Sequence, residues 1–355
     1  MKQLNVGIIG FGRSGRNIHT AHFSKDSDRF KIAAVTDKLE DRRKRAEQET
    51  GGKAYEDYRE FFDLDLDLIV NASPSHLHVP ITKDILKAGY NCVCEKPLAR
   101  DPKDVDRLIS AAEKSGVMFT VFQQSRFAPY FRQVRKVIDS GVLGRIAQIS
   151  IAFNGFSRRY DWQTIQEFMG GSLLNTGPHP LDQALQLFGT DVMPEVFCHM
   201  DRINTAGDAE DHVALMLRGH GRPLIYIELS SSSAFPEYTY RIYGTTGSLR
   251  GNMKEMEWKY FDPKQHVRPE LVRGPLMDDE GLPIYPSEEL EWQEDSWQVP
   301  AGNENLFETI SRSYYDMIYA HLTEGVPLEV TPQQVRRQAE VIRECRRQNP
   351  TIYTA

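Results

Sequence analysis

The chain has 355 residues, 40% hydrophobic and 26% charged, with a net charge of -7. That length suits two domains better than one or three, and the composition is that of an ordinary soluble protein with no basic surplus for nucleic acid or an anionic membrane. Its four cysteines, with Cys92 and Cys94 one residue apart, match neither a disulfide framework nor paired zinc knuckles, and no apolar run approaches the roughly 20 residues of a membrane span, so a cytoplasmic location is expected.

Leu4 to Ile9 reads as a short buried strand. Gly10-Phe11-Gly12-Arg13-Ser14-Gly15 follows at once, ahead of a helical stretch. This is G-x-G-x-x-G in the context that a dinucleotide site requires. Gly10 permits the tight turn, Gly12 lets the backbone approach a pyrophosphate, and Gly15 lets helix and strand pack closely. The helix N-terminus offers free N–H groups to the phosphates, with Phe11, Arg13 and Ser14 carried on the same loop. A second strand, Phe30 to Thr36, ends in Asp37, 22 residues beyond Gly15, where a carboxylate accepts from the ribose hydroxyls. The same carboxylate repels a 2′-phosphate, so NAD is favoured over NADP, with Lys38, Arg42 and Arg43 as the opposing local charge.

Further strands are expected at 67–70, 91–94 and 118–122, alternating with helices near 78–88 and 102–115. Strands joined by helices of that length make parallel crossovers and a doubly wound sheet. The loop after the third strand carries Ser73, Pro74, His76 and His78 to the carboxyl edge. No cysteine or acid stands at ligand spacing beside the two histidines, so the loop is expected to line the cofactor and no metal is assigned. The fourth strand stops at Glu95-Lys96-Pro97, because Pro97 supplies no backbone donor, and this leaves a charged pair where open α/β sheets place ligands.

From residue 144 the pattern becomes alternating strands, at 145–153, 195–203, 211–218, 224–230 and 238–243, separated by Gly, Pro and Asp. The expected fold is thus an α/β Rossmann dinucleotide-binding domain, 1–125, followed by an α+β domain, 126–355, built on a large, mostly antiparallel open sheet. Helices near 304–324 and 332–349 close the chain, the latter able to pack back on the first domain. The stretch 252–303 reads as a long excursion, a lid, an oligomer arm or a surface insertion. Between 170 and 182, two glycines and two prolines flank His179. Pro178 and Pro180 fit only a first helical turn, so a helix starts here and runs to Phe188. The positive end of its dipole keeps the His179 imidazole neutral, which makes it a base.

These motifs in this order, from the glycine loop through Ser73-Pro74-Ser75-His76 and Glu95-Lys96-Pro97 to Gly170-Gly171, His179 and Asp182, resemble the Gfo/Idh/MocA oxidoreductase family. The resemblance implies a nicotinamide cofactor in the first domain and a polyol, sugar, cyclitol or glycoside held against it by the second. It implies that Lys96 hydrogen-bonds the reacting hydroxyl while His179 removes its proton, that Trp162 lies near the nicotinamide, and that Gln124 lies near cofactor or substrate. Arg126 and Arg158, with Arg159, are implied as substrate contacts. Many members carry aspartate four residues before the histidine; here it is Asn175, which serves as a hydrogen-bond partner rather than an acid, while Asp182, one helical turn beyond His179, is placed to orient the ring. The leading activity is an NAD-dependent dehydrogenase. A redox-neutral NAD-dependent glycosidase and a dinucleotide-binding regulator are the alternatives, and the exposed sheet face implies a dimer or tetramer.

Overall fold

The computed structural model describes residues 2–235, 237–303 and 305–353. Six parallel strands, β1 (Leu4–Ile9), β2 (Phe30–Thr36), β3 (Lys53–Tyr55), β4 (Leu68–Asn71), β5 (Cys92–Cys94) and β6 (Phe119–Val121), form the first sheet in the order β3-β2-β1-β4-β5-β6. Five of them stand where the apolar runs predict. The edge strand β3 does not, because three residues reading Lys-Ala-Tyr are too few for a period to register. β4 and β5 are buried along their whole length, as strands covered on both faces must be. The crossovers run through α1 (Ala21–Lys25), α2 (Glu40–Thr50), α3 (His78–Lys87) and α4 (Pro102–Ser115). The helix behind the glycine loop opens as a π-helical turn, Gly15–Thr20, before it becomes α1.

The second sheet has eight strands: β7 (Ile146–Asn154), β8 (Glu195–Asp201), β9 (His212–Arg218), β10 (Leu224–Ser230), β11 (Tyr240–Gly244), β12 (Gly247–Gly251), β13 (Glu255–Tyr260) and, after a two-stranded hairpin of β14 (Leu276–Met277) and β15 (Pro283–Ile284), β16 (Gln293–Gln298). Their order is β16-β13-β12-β11-β7-β10-β9-β8, antiparallel except where β7 meets β10. Alternation along β9 and β10 turns Val213, Leu215, Leu217, Ile225, Ile227 and Leu229 onto one face. There they meet α5 (Pro129–Asp139), α6 (Ser172–Asn175) and α7 (Pro178–Phe188). The opposite face, with Phe197 and Tyr243, is open.

The excursion expected over 252–303 is only partly one. Glu255-Met256-Glu257-Trp258-Lys259-Tyr260 alternates, buries Met256 and Trp258, and adds β13 to the sheet; β16 then pairs with it. What lies between, 261–292, is mostly exposed.

The expected start of the next helix, Glu304, lies outside the described residues; α8 (Leu306–Glu324) is capped by Asn305, and α9 (Pro332–Arg347) begins with a reciprocal cap between Thr331 and Gln334. α8 drives Tyr314, Tyr315 and Ile318 into the first sheet's core beside Phe23, Phe30 and Phe122. α9 straddles the two halves: Val335 and Ala339 pack under the first sheet, Val341, Ile342 and Cys345 under the second. No helix among the described residues is long and apolar enough to cross a membrane.

Candidate active site

A cleft of about 500 Å³ opens at the carboxyl ends of β1, β4 and β5, where the strand order reverses and doubly wound sheets bind ligands. Its floor is the glycine loop. Gly10 has φ +91°, and a Cβ there would stand 2.6 Å from the Ala72 carbonyl; one on Gly15 would reach 1.8 Å from the Gly10 carbonyl oxygen. Side chains are therefore excluded from both by backbone. At Gly12 an added Cβ would meet nothing nearer than Arg42 Nη1 at 3.6 Å, so protein packing does not demand this glycine. Bare backbone facing the cleft beside Arg13 and Ser14 is the cradle that a pyrophosphate needs. The cofactor residues fit a dinucleotide: Asp37 stands at the end of β2 and lines the same cleft.

Asp37 Oδ2 accepts from the Phe11 N–H at 2.9 Å, and Oδ1 accepts from the Leu39 N–H at 3.0 Å. Arg42 Nη1 is 3.4 Å from Oδ2. Phe11, expected among the cofactor contacts, turns its ring into the first sheet's core and offers only a backbone N–H already committed to Asp37.

The next wall is Glu95-Lys96-Pro97. Glu95 is buried; Oε1 lies 3.1 Å from His19 Nε2 and Oε2 accepts from the Lys96 N–H at 3.0 Å. Burial works to raise its pKa, but the His19 contact and the charges of His19 and Lys96 prevail and hold it near 2. Glu95 is therefore a fixed anion whose direct contact with Lys96 is to its backbone N–H. His19, on the π-helical turn, is fully buried and reaches Tyr315 through its other nitrogen at 2.7 Å. Nothing local in the sequence marks His19; its partners are 76 and 296 residues away. Burial and Arg13 lower the Lys96 pKa while Glu95 opposes them. Lys96 Nζ donates to the Asn175 carbonyl at 3.0 Å.

Of the loop after β4, Ser73, Pro74 and His76 line the cleft. His78 also borders it, but its ring is buried between two carbonyls, Pro97 at 2.7 Å and Ser73 at 2.9 Å, and so ties the two loops together.

The far wall comes from the second half. Asp161 caps the turn Trp162–Thr164 by accepting from the Gln163 N–H, which sets Trp162 and Gln163 over the cleft. Arg159 Nη2 donates to Gln163 Oε1 at 2.5 Å, and Gln163 Nε2 donates to Asn175 Oδ1 at 3.2 Å. Close approach here needs Gly170, where a Cβ would meet the Gln163 and Ile165 carbonyls at 2.6 Å. His179 opens α7, its Nδ1 3.1 Å from Ser125 Oγ. Burial pushes its pKa down to about 3, helped by the Lys96 cation, so the ring is neutral, as expected, though by desolvation before any dipole. It stands beyond the residues that border the cleft, behind Asn175. Behind this wall in turn, buried Glu210 accepts from the Leu173 N–H at 2.8 Å and from the Tyr353 hydroxyl; burial lifts its carboxyl to about 8.

Besides Phe11 and His179, Arg126, Arg158 and Gln124 are not among the residues that line the cleft. Arg126 is 4% exposed and forms a two-point ion pair with buried Asp182, Nε to Oδ2 at 3.0 Å and Nη2 to Oδ1 at 2.5 Å. Asp182 is thereby occupied and does not orient His179; Ser125 has that contact. Arg158 is exposed, with no hydrogen bond among the described residues. Gln124 is buried in a short turn, its Oε1 without a partner among the described residues.

Residues 4–123 match the sequence family described as oxidoreductase family, NAD-binding Rossmann fold, and residues 131–250 match the GFO/IDH/MocA C-terminal domain. A scyllo-inositol 2-dehydrogenase (NADP(+)) of Bacillus subtilis is 24% identical over 370 residues, covering 98% of this chain and 95% of its own. A 2,7-anhydro-N-acetylneuraminate hydratase of Mediterraneibacter gnavus is 27% identical over 271 residues, 71% of this chain and 68% of its own. The WlbA dehydrogenase of Bordetella pertussis, solved with NADH and UDP-GlcNAcA, has the same fold, with a TM-score of 0.78 over 99% of this chain and 97% of that one at 21% identity. Glycine loop, buried Glu95 beside Lys96, and an open second sheet packed on the helix that carries His179 thus occur in a chain whose two halves both match, and the protein belongs to the Gfo/Idh/MocA family of NAD-binding oxidoreductases.

Proposed function

We propose that the protein is an NAD-dependent dehydrogenase that oxidises a secondary hydroxyl of a sugar, cyclitol or glycoside. The observation that carries this reading is the position of Lys96: it lines the dinucleotide cleft, its backbone N–H is held by buried Glu95, and its Nζ reaches across to the Asn175 carbonyl. The bound nicotinamide supplies the hydride acceptor. Lys96 Nζ donates to the substrate oxygen and shares the negative charge that gathers there as the C–H bond breaks. His179 takes the hydroxyl proton, with Ser125 holding the ring through Nδ1. Asp37 favours NAD, since a 2′-phosphate would be set against its carboxylate, although Arg42 stands close enough to soften that preference. We assign the division near residue 125 and a dimer or tetramer through the open face of the second sheet to the same reading.

The test is reduced-nicotinamide absorbance when the protein and Lys96→Ala are mixed with NAD or NADP and a panel of inositols, sugars and glycosides. Net reduction of NAD by the wild type alone supports the dehydrogenase. The similarity to a hydratase favours one second reading, a redox-neutral reaction at the same site; product formation without net reduction would replace the first reading by it.

A further inference from the structure

We propose, on the basis of the dehydrogenase reading, that Glu210 is a positioning residue for Lys96, acting through the single helical turn α6. The turn runs only from Ser172 to Asn175, and Glu210 holds its start twice. Its backbone carbonyl accepts from the Ser172 N–H at 2.9 Å, and Oε1 accepts from the Leu173 N–H at 2.8 Å. The carboxyl also lies against Gly171, where a Cβ would meet both of its oxygens. At the other end of the turn the Asn175 carbonyl accepts from Lys96 Nζ at 3.0 Å, while the Asn175 N–H donates to the Gly171 carbonyl at 2.8 Å. One turn of helix has no slack between these ends. Where Glu210 sets Leu173, it sets the acceptor that holds the Lys96 amine at the cleft, and a misplacement of about 1 Å at a reacting group can cost on the order of a hundredfold in rate.

The surroundings suit an uncharged carboxyl. Arg100, on the loop behind Glu95-Lys96-Pro97, and Arg346, on α9, both feel the charge of Glu210, yet among the described residues neither forms an ion pair with it. Arg100 donates to the Gln166 carbonyl, Arg346 lies 4.3 Å from the Tyr353 ring centre, and the Nε of each has no partner among the described residues. Tyr353 gives its hydroxyl proton to Oε2. Asp211 commits its oxygens to the Ile203, Asn204 and Thr205 N–H groups, Asp208 accepts from the Gln166 N–H at 2.7 Å, and the Cys345 thiol is buried nearby on α9. Burial outweighs the Leu173 N–H and the Arg346 charge and lifts the Glu210 carboxyl to about 8. Above that pH the buried carboxylate attracts both arginines. Arg100 then leaves the Gln166 carbonyl, and the wall from Gln163 to Gly171, closed by the Gly171 N–H on the Gln163 carbonyl at 2.9 Å, loses one of its ties to the first half.

The experiment is trace acetylation of the full-length protein with acetic anhydride at pH 6.5 and pH 9, reading Lys96 against exposed Lys254 by mass spectrometry. Glu210→Gln keeps an acceptor for the Leu173 N–H and cannot ionise. Wild type and Glu210→Gln are expected to label alike at pH 6.5. At pH 9 Lys96 of the wild type is expected to be about threefold or more the more reactive, because an amine that loses its carbonyl partner releases its proton more readily. Glu210→Ala removes the acceptor and is expected to raise Lys96 labelling at both values; if it does not fold, the glutamine comparison alone decides. With the first sugar, inositol or glycoside that reduces NAD, the ratio of kcat at pH 9 to kcat at pH 7 is expected to be higher in Glu210→Gln than in wild type by a similar factor, at an unchanged KM for NAD. Equal Lys96 labelling of wild type and Glu210→Gln at pH 9, an unmoved Lys96 in folded Glu210→Ala, or equal kcat ratios would each overturn the inference. The labelling difference without NAD reduction by any compound would keep it and remove the dehydrogenase reading instead.

Discussion

Replacing Arg126 by methionine separates a structural arginine from a substrate-binding one. The guanidinium is 4% exposed and its partner Asp182 is 3% exposed. It also donates to the Glu329 carbonyl, and to Gln334 Oε1 at 2.6 Å, so it joins the turn before α5, the helix that begins near His179, and the start of α9. Removing it strands a carboxylate in the interior, which costs about 3–5 kcal/mol. Unfolding entropy near 2.1 cal/mol/K per residue over 355 residues converts that to a fall in Tm of roughly 4–7 °C. Arg126→Met with Asp182→Leu removes the stranded charge and is expected to regain at least half of the loss, keeping about 1 kcal/mol for the unpaired Glu329 and Gln334 oxygens. Calorimetry at pH 7 on wild type, both single variants and the double variant measures this. A single variant within 1 °C of wild type but with a tenfold higher KM would place Arg126 at the substrate after all, and a double variant no more stable than Arg126→Met would refute the buried-charge reasoning.

Gly15→Ala is expected to abolish NADH binding by fluorescence titration, because its methyl would lie 1.8 Å from the Gly10 carbonyl oxygen and neither partner is a side chain that can turn away; wild-type affinity would contradict the tight turn. If Asp37, which lines the cleft, meets the ribose as proposed, Asp37→Ser should shift the NADP-to-NAD ratio of kcat/KM upward by roughly tenfold or more, with Arg42 then free to meet a phosphate. Glu210 titrates near 4.5 unfolded and about 8 folded, so the native state holds the extra proton between those values and wild-type stability falls as pH rises through them. Glu210→Gln lacks this slope, so its Tm should gain on that of wild type from pH 5 to pH 8.5; a constant gap would show that the carboxyl is already ionised.

What the sequence made legible was whatever a short stretch encodes by itself. Gly10-to-Gly15, Asp37 at a strand end, Lys96 before a proline and the prolines opening α7 each carry their own geometry, and each stands where its local pattern puts it. What was not legible was pairing. Arg126 looks like any arginine, and only the fold brings it to Asp182, 56 residues on; the same holds for His19 with Glu95 and for Ser125 with His179. The resemblance implied a substrate contact for Arg126, and only its burial against Asp182 shows that its guanidinium is engaged inside the protein. β13 is a different case: the alternation of Glu255 to Tyr260 was in plain view, obscured by the acidic, proline-rich stretch around it. α5 likewise has apolar Tyr130, Phe131, Val134 and Val137 at helical spacing behind Pro129.

The placing of α8 and α9 bears on how the molecule comes into being. The first sheet is complete by residue 121, yet its core holds Tyr314, Tyr315 and Ile318, and the Tyr314 hydroxyl donates to the Val121 carbonyl across 193 residues. A ribosome that has delivered the nucleotide-binding half has not delivered what covers it. Phe30 and Phe122 are covered by residues from the last fifty of the chain, and α9 packs on both halves. The protein is thus two units by architecture but one by assembly: an early stop codon forfeits the first half along with the second, and a fragment ending near residue 125 should be recovered aggregated or bound to chaperones rather than as a free cofactor-binding module.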